Sequence, residues 1–308
     1  MAGRFFFAAA LLAVHSFTPA FAAEDLSTIT TAPKARRTPS SHHDLAKRQA
    51  ATTYETTSPL PLTQYQYPYA SVPYQVNPYP VGRGPQAGYN QCNSSTGGPT
   101  SECQTLIVNS IDDFCIWGSP VTDGLIGNVE AAVVAYCSKS GHGTRVMPEG
   151  TLTGVQFMKT SAYIQITGHL NQTGVGLASN DTGGELDPHG ADLAGNPLGG
   201  LVYSSGLPTA KDNTTEIQAI SWNNFVGSNI FCIKLCDNTI TTPNYCENRI
   251  DLLGCDYNMP AAYVDGEFTS CEGDLQDVVG TYTSNGQSEF SNFYVASWLV
   301  VSSVFMYD

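Results

Sequence analysis

The sequence predicts an all-β domain, a disulfide-braced sandwich or jelly-roll-like fold with a loop-rich, cysteine-dense C-terminal part. Three observations lead there. Apolar residues alternate with period two over several short stretches, 29 Gly and 18 Pro punctuate the chain, and nine cysteines all lie beyond residue 91. Short alternating runs between Gly, Asn and Pro turns read as strands of a sandwich. Cysteines crowded into an exported chain read as a disulfide framework whose connectivity the sequence leaves open.

The elements follow in order. Ala131 to Cys137 is apolar throughout, and its periodicity fits either a buried strand or a helical turn and a half. In Thr153–Met158, Val155 and Phe157 share one face. In Ala162–Thr167, Ile164 and Ile166 do the same, and the link Lys159-Thr160-Ser161 predicts a hairpin between the two runs. Further strands are expected at Leu201–Ser204, Glu216–Ile220 and Asn229–Ile233. From Cys232 to Cys271 cysteines recur every few residues, and this part is expected to be stapled rather than packed.

The first 48 residues read as processing signals. Arg4, the apolar run Phe5–Val14 and Ala20-Phe21-Ala22 form a signal peptide over 1–22 with cleavage after Ala22. The polar stretch 23–48 ends in Lys47-Arg48, a dibasic cleavage site, and reads as a propeptide. Residues 49–90 repeat Tyr, Pro and Gln, as in Gln64-Tyr65-Gln66-Tyr67-Pro68-Tyr69, and predict an extended linker because recurrent Pro forbids helix. Residues 91–282 are the expected β domain, and 283–308 form an apolar tail too short to span a bilayer.

Charge narrows the partners. Cleavage after Arg48 removes six of the 13 Lys/Arg and three of the 27 Asp/Glu, leaving a formal charge of −17. Such a surface repels phosphate backbones and anionic lipid, which excludes nucleic acid as a natural partner. Four Asn-x-Ser/Thr sequons, at Asn93, Asn171, Asn180 and Asn213, predict N-glycosylation on surface loops.

Several longer strings carry a family resemblance. These are Asp112-Asp113-Phe114-Cys115-Ile116-Trp117, Cys137-Ser138-Lys139-Ser140-Gly141-His142-Gly143-Thr144-Arg145, and Gly183-Gly184-Glu185-Leu186-Asp187-Pro188-His189-Gly190-Ala191-Asp192. Gly195-Asn196-Pro197-Leu198-Gly199-Gly200 and Gly254-Cys255-Asp256-Tyr257-Asn258-Met259-Pro260 belong with them. Together, over about 88–282, they resemble fungal secreted proteins often labelled macrophage-activating glycoproteins. The resemblance implies an extracellular, glycosylated protein typical of basidiomycetes, with no catalytic residues to carry over. It also implies a Ser/Thr-rich continuation, often with another cysteine, where this chain has the apolar stretch Phe290–Val301. An altered gene end would leave Cys271 or a neighbour without its partner. The alternative is a GPI signal, with Ser284-Asn285-Gly286 as the small residues of the attachment site.

Chemistry has one place to concentrate. Glu185, Asp187, His189 and Asp192 fall within eight residues between glycines. With His142 from the Gly-His-Gly turn, Asp187 and His189 could bind a divalent metal. A carboxylate pair there could serve glycoside hydrolysis. The competing expectation is that Asp187 and Asp192 only build turns, and no cofactor or metal is then required. Trp117 and Trp222 suggest stacking against sugar rings if they are exposed. The reading is a secreted, non-catalytic glycoprotein of the cell surface or wall, directed at a glycan or a host or cell-surface protein. The alternative is a carbohydrate-active hydrolase or metal-dependent enzyme using Glu185, Asp187, His189 and Asp192. All nine cysteines, Cys92, Cys103, Cys115, Cys137, Cys232, Cys236, Cys246, Cys255 and Cys271, are disulfide candidates.

Overall fold

The computed structural model describes residues 60–76 and 87–281. The signal peptide, the propeptide with Lys47 and Arg48, and the apolar tail lie outside the described residues.

Among the described residues, twelve strands form two six-stranded sheets. In chain order they are β1 (Thr105–Ser110), β2 (Asp113–Gly118), β3 (Val134–Cys137), β4 (Arg145–Val146), β5 (Leu152–Lys159) and β6 (Tyr163–Leu170). Then come β7 (Gly184–Leu186), β8 (Leu201–Ser204), β9 (Ile217–Ala219), β10 (Trp222–Gly227), β11 (Ile230–Cys236) and β12 (Phe268–Glu272). Two short helices, α1 (Ile126–Val129) and α2 (Gly254–Asn258), sit in connections. Sheet one runs β4-β3-β2-β1-β8-β9 and sheet two runs β12-β5-β6-β11-β10-β7.

The predicted hairpin is present. β5 and β6 pair antiparallel, with Phe157 opposite Ile166 and Lys159 opposite Ile164, so Val155, Phe157, Ile164 and Ile166 all enter the core. Leu201–Ser204 is β8, and the other two expected runs become β9 and the first part of β11. The ambiguous run at 131–137 resolves both ways. Glu130–Ala132 is a 3-10 turn, and Val134–Cys137 is a strand fully buried between its neighbours.

Sheet two offers its inner face to sheet one. The Phe114 and Phe231 rings stack at 5.9 Å, and the Trp117 and Trp222 rings meet at 6.0 Å. Asn224, fully buried between the sheets, accepts from the Trp117 amide at 3.4 Å and donates to the carbonyl of Cys232 at 2.8 Å. A buried polar side chain is tolerable because it is bonded on both sides.

The other face of sheet one is covered by residues 60–76, the stretch expected to be part of a linker. Over this span the chain is a strap on the sandwich. Leu62 and Val72 are buried, and Tyr65, Tyr67 and Tyr69 pack against the core while Gln64, Gln66 and Pro68 face water. Gln218 on β9 grips the strap with both ends of its amide, accepting from Tyr67 N at 2.7 Å and donating to Tyr65 O at 2.8 Å. The Tyr203 hydroxyl donates to Tyr67 O at 2.8 Å, and the Tyr69 ring meets Tyr203 edge-on at 5.1 Å. Burial on both faces explains why β1 and β2 show no alternation: Leu106, Ile107 and Val108 are all inaccessible, as are Phe114, Cys115, Ile116 and Trp117.

Four disulfides brace this frame: Cys92–Cys103, Cys115–Cys137, Cys232–Cys255 and Cys236–Cys246. Cys115 and Cys137 are direct cross-strand partners on β2 and β3. Cys232–Cys255 and Cys236–Cys246 tie β11 to the C-terminal cap, residues 237–281, which packs on the outer face of sheet two and supplies its edge strand β12. Each is seated in its own apolar cluster, Cys236–Cys246 with Met158, Ala162 and Tyr163, and Cys232–Cys255 with Phe225 and Met259. The cap is therefore both stapled and packed. Cys271, on the edge strand β12, is unpaired and exposed.

Candidate functional site

The segment 183–200 starts on β7, which pairs antiparallel with β10 at the edge of sheet two. Gly183 turns into it with φ +86°, a conformation glycine adopts without strain. Beyond β7 the chain is a set of turns held by its own side chains. Asp187 Oδ1 accepts from the amides of His189 (2.7 Å) and Gly190 (2.9 Å), and Oδ2 accepts from Asn248 at 3.2 Å. Asp192 Oδ1 accepts from the Ala194 amide at 3.0 Å. Both aspartates build the loop, and the loop in turn holds the strap through Leu62 N donating to Leu193 O at 2.7 Å.

Glu185 is different. Its two carboxyl oxygens are buried and neither makes a hydrogen bond of acceptable geometry. Burial, together with the neighbouring carboxyls of Asp251 and Asp187, lifts it to about 9, so the group carries its proton at neutral pH. His189 Nδ1 is also buried without a partner.

His142 lies elsewhere. Its Nε2 meets Asp113 Oδ1 at 2.6 Å at the start of β2, and Asp113 Oδ2 takes Lys139 Nζ and Asn109 Nδ2, both at 3.1 Å. Burial opposes ionisation of Asp113, but the bonds from His142, Asn109 and Lys139 prevail and hold it at about 2. Asn109 also donates to Glu216 at 2.8 Å, and burial pushes Glu216 up. Here a polar knot closes the rim of sheet one. The metal set of His142, Asp187 and His189 is not assembled, because Asp113 takes the His142 ring while turn amides and Asn248 take Asp187. Among the described residues no group of three or more His, Cys, Asp or Glu side chains could hold a metal ion.

The aromatic expectation is also corrected. Trp117 is inaccessible and Trp222 is 2% exposed, each against the other in the inter-sheet core, so neither can stack on a sugar. The four sequon asparagines are all exposed. Asn93 and Asn171 each accept from the amide and hydroxyl two residues on, at Ser95 and Thr173, which fixes the sequon in a surface turn. A shallow cavity of about 210 Å³ lies between the strap and the first disulfide, lined by Tyr69, Val72, Asn90 and Cys92 among others.

Sequence reasoning missed Asp251, Asn223, Asp113 and Lys234. Lys234 on β11 is 2% exposed beneath the cap, donates to Asn258 O at 3.2 Å, and lies 4.7 Å from the centre of the Tyr163 ring. Burial pulls it down to about 7. The alternating Gln-Tyr strap was the one visible signal among these features, since period two marks an extended chain with one covered face.

Fold and staples define a disulfide-braced β-sandwich protein, and among the described residues no helix is long and apolar enough to cross a membrane. The chain is 41% identical over 204 residues to Appressorium protein ROW1 of Mycosarcoma maydis, covering 66% of this chain and 47% of that one. It is 39% identical over 207 residues to Appressorium protein ROW2 of the same fungus, covering 66% of this chain and 70% of that one. The chain belongs to the family of these fungal appressorium proteins. It spans about half the length of the first relative. Both relatives are fungal, as the resemblance implied, and both names refer to the appressorium and not to macrophage activation. No family model and no solved structure matches.

Proposed function

We propose that this chain is a secreted, glycosylated, non-catalytic fungal protein of the cell surface or wall that serves the appressorium, the cell a fungus presses against its host. The observation that carries the reading is the pairing of eight cysteines into four disulfides, which persist in an exported compartment. Relatives named for the appressorium supply the setting, and four exposed sequons support surface glycans. With both tryptophans in the core, a host or cell-surface protein is the favoured partner over a glycan. The test is an epitope-tagged full-length protein produced in a related fungus. The expected result is recovery from the medium or wall at appressoria, with a mass drop after enzymatic removal of N-glycans. Recovery from cytosol with reduced thiols and no glycan would overturn it.

One observation favours a second reading, a carbohydrate-active hydrolase: Glu185 is a proton-bearing carboxyl beside two other acids. Hydrolysis of an oligosaccharide panel, lost in Glu185→Gln without loss of folding, would support it in place of the first.

A further inference from the structure

The outer rim of sheet two contains buried oxygen atoms that make no hydrogen bond of acceptable geometry, although the Asp251 and Asn223 side chains both approach Glu185. Glu185 and Asn223 stand on one face of the β7–β10 pair: Phe225 is the cross-strand partner of Glu185, and Asn223 is two residues along on the same face. Asn223 is 2% exposed and gives its Nδ2 to Glu247 O at 2.9 Å, yet its Oδ1 has no partner. Both Glu185 oxygens are likewise buried without a hydrogen bond of acceptable geometry. The 3-10 turn Asp251–Leu253 of the cap packs on β7 and brings the Asp251 carboxyl against Glu185.

Three buried oxygens without a well-formed bond, next to a further carboxyl, are satisfied either by protons on the carboxyls or by a cation. The nearest basic groups are committed elsewhere. Lys234 directs its ammonium to Asn258 O and the Tyr163 ring on β6, the side of β11 remote from β7. Arg249 is engaged by Glu247 at 2.6 Å. Asp187 has its oxygens occupied by two amides and Asn248, so it adds field without offering a ligand.

We infer that Glu185, Asp251 and the Asn223 side-chain carbonyl form a calcium site that clips the C-terminal cap to the edge of sheet two. The donor set is all oxygen, two carboxyls and one amide, which suits a hard cation that accepts irregular geometry and completes its shell with water. Calcium fits better than magnesium, which demands near-ideal octahedral geometry. Two carboxyls and one neutral oxygen predict weak binding, with a Kd of roughly 0.1–1 mM as in extracellular modules. The site rests on the non-catalytic reading, because a Glu185 that ligates calcium as a carboxylate cannot also be the proton-bearing acid of a hydrolase.

The test uses purified full-length protein with calcium chloride, and magnesium chloride at equal ionic strength as control. The expected result is a thermal midpoint that rises and saturates with calcium, a matching calorimetric isotherm, and little response to magnesium. Asp251→Asn, at an exposed position, should fold normally and weaken calcium binding at least tenfold. Glu185→Gln should do the same, whereas Asp274→Asn, an exposed acid just beyond β12 at the opposite edge of sheet two, should leave binding unchanged. Absence of a calcium response in the wild type overturns the inference, as does an equal response in wild type and Asp251→Asn.

Discussion

Lys234 is a cation enclosed between sheet two and the cap, and Lys234→Met isolates what that enclosure costs. The fall from an ordinary 10.5 to about 7 corresponds to about 5 kcal/mol of desolvation carried by the folded state when the amine is charged. The hydrogen bond to Asn258 O and the Tyr163 ring contact orient the amine without reversing that balance. The ammonium is therefore a net burden at acid pH, and Lys234→Met is expected to be more stable than wild type at pH 5.5 by about 1–2 kcal/mol. Between pH 7 and 10.5 the unfolded chain holds a proton that the folded chain has released, so wild-type stability rises with pH there. From pH 7 to 8.5 wild type should gain about 2 kcal/mol on the variant. Equilibrium urea denaturation of both proteins with disulfides intact, at pH 5.5, 7 and 8.5, gives the difference while cancelling other titrating groups. A difference that stays flat across that range would refute the reasoning, because it would mean Lys234 keeps its ordinary affinity for a proton under the cap.

Two other predictions follow from the strap and the polar knot. Gln218→Ala removes both amide bonds to the strap and is expected to cost about 1–2 kcal/mol. Hydrogen exchange should quicken at 60–76 and stay unchanged in β5 and β6, whereas unchanged exchange at 60–76 would show that the tyrosines alone hold it. Asp113 is held at about 2, so its contribution is complete above its unfolded value near 3.8 and is lost as pH falls toward 2. Asp113→Asn should flatten the acid limb of the stability profile by about 1–2 kcal/mol after allowance for its partial exposure, and an unaltered limb would remove that role.

Much of the sandwich was visible in the chain because one physical circumstance makes strands legible. Where one face meets the core and the other meets water or a polar cover, residues alternate, as in Val155/Phe157 and Ile164/Ile166. That circumstance fails in sheet one. The strap covers the face that would have been wet, so Leu106–Val108 and Phe114–Trp117 read as plain apolar runs with no period. The strap itself alternates, but its prolines outweighed the Gln-Tyr rhythm and gave a linker. In the site, Asp187 and Asp192 acted as their turn chemistry suggested, through amides two or three residues away.

The sequence by itself determined the local and the covalent: a β-rich domain, cysteines available for crosslinks, sequons in turns, and aspartates that fold back on their own loop. Each of these depends on neighbours within a few residues or on the compartment. Tertiary structure alone decided which cysteines pair, that Trp117 and Trp222 face each other instead of water, and that His142 answers to Asp113. It also decided that Asn223, Glu185 and Asp251 meet. The last three sit on β10, on β7 and in the cap, and only sheet pairing and two staples from β11 bring them within reach. Burial, which sets the charge of Glu185 and Lys234, is a property of what covers a residue, and the covering chain lies far away in sequence.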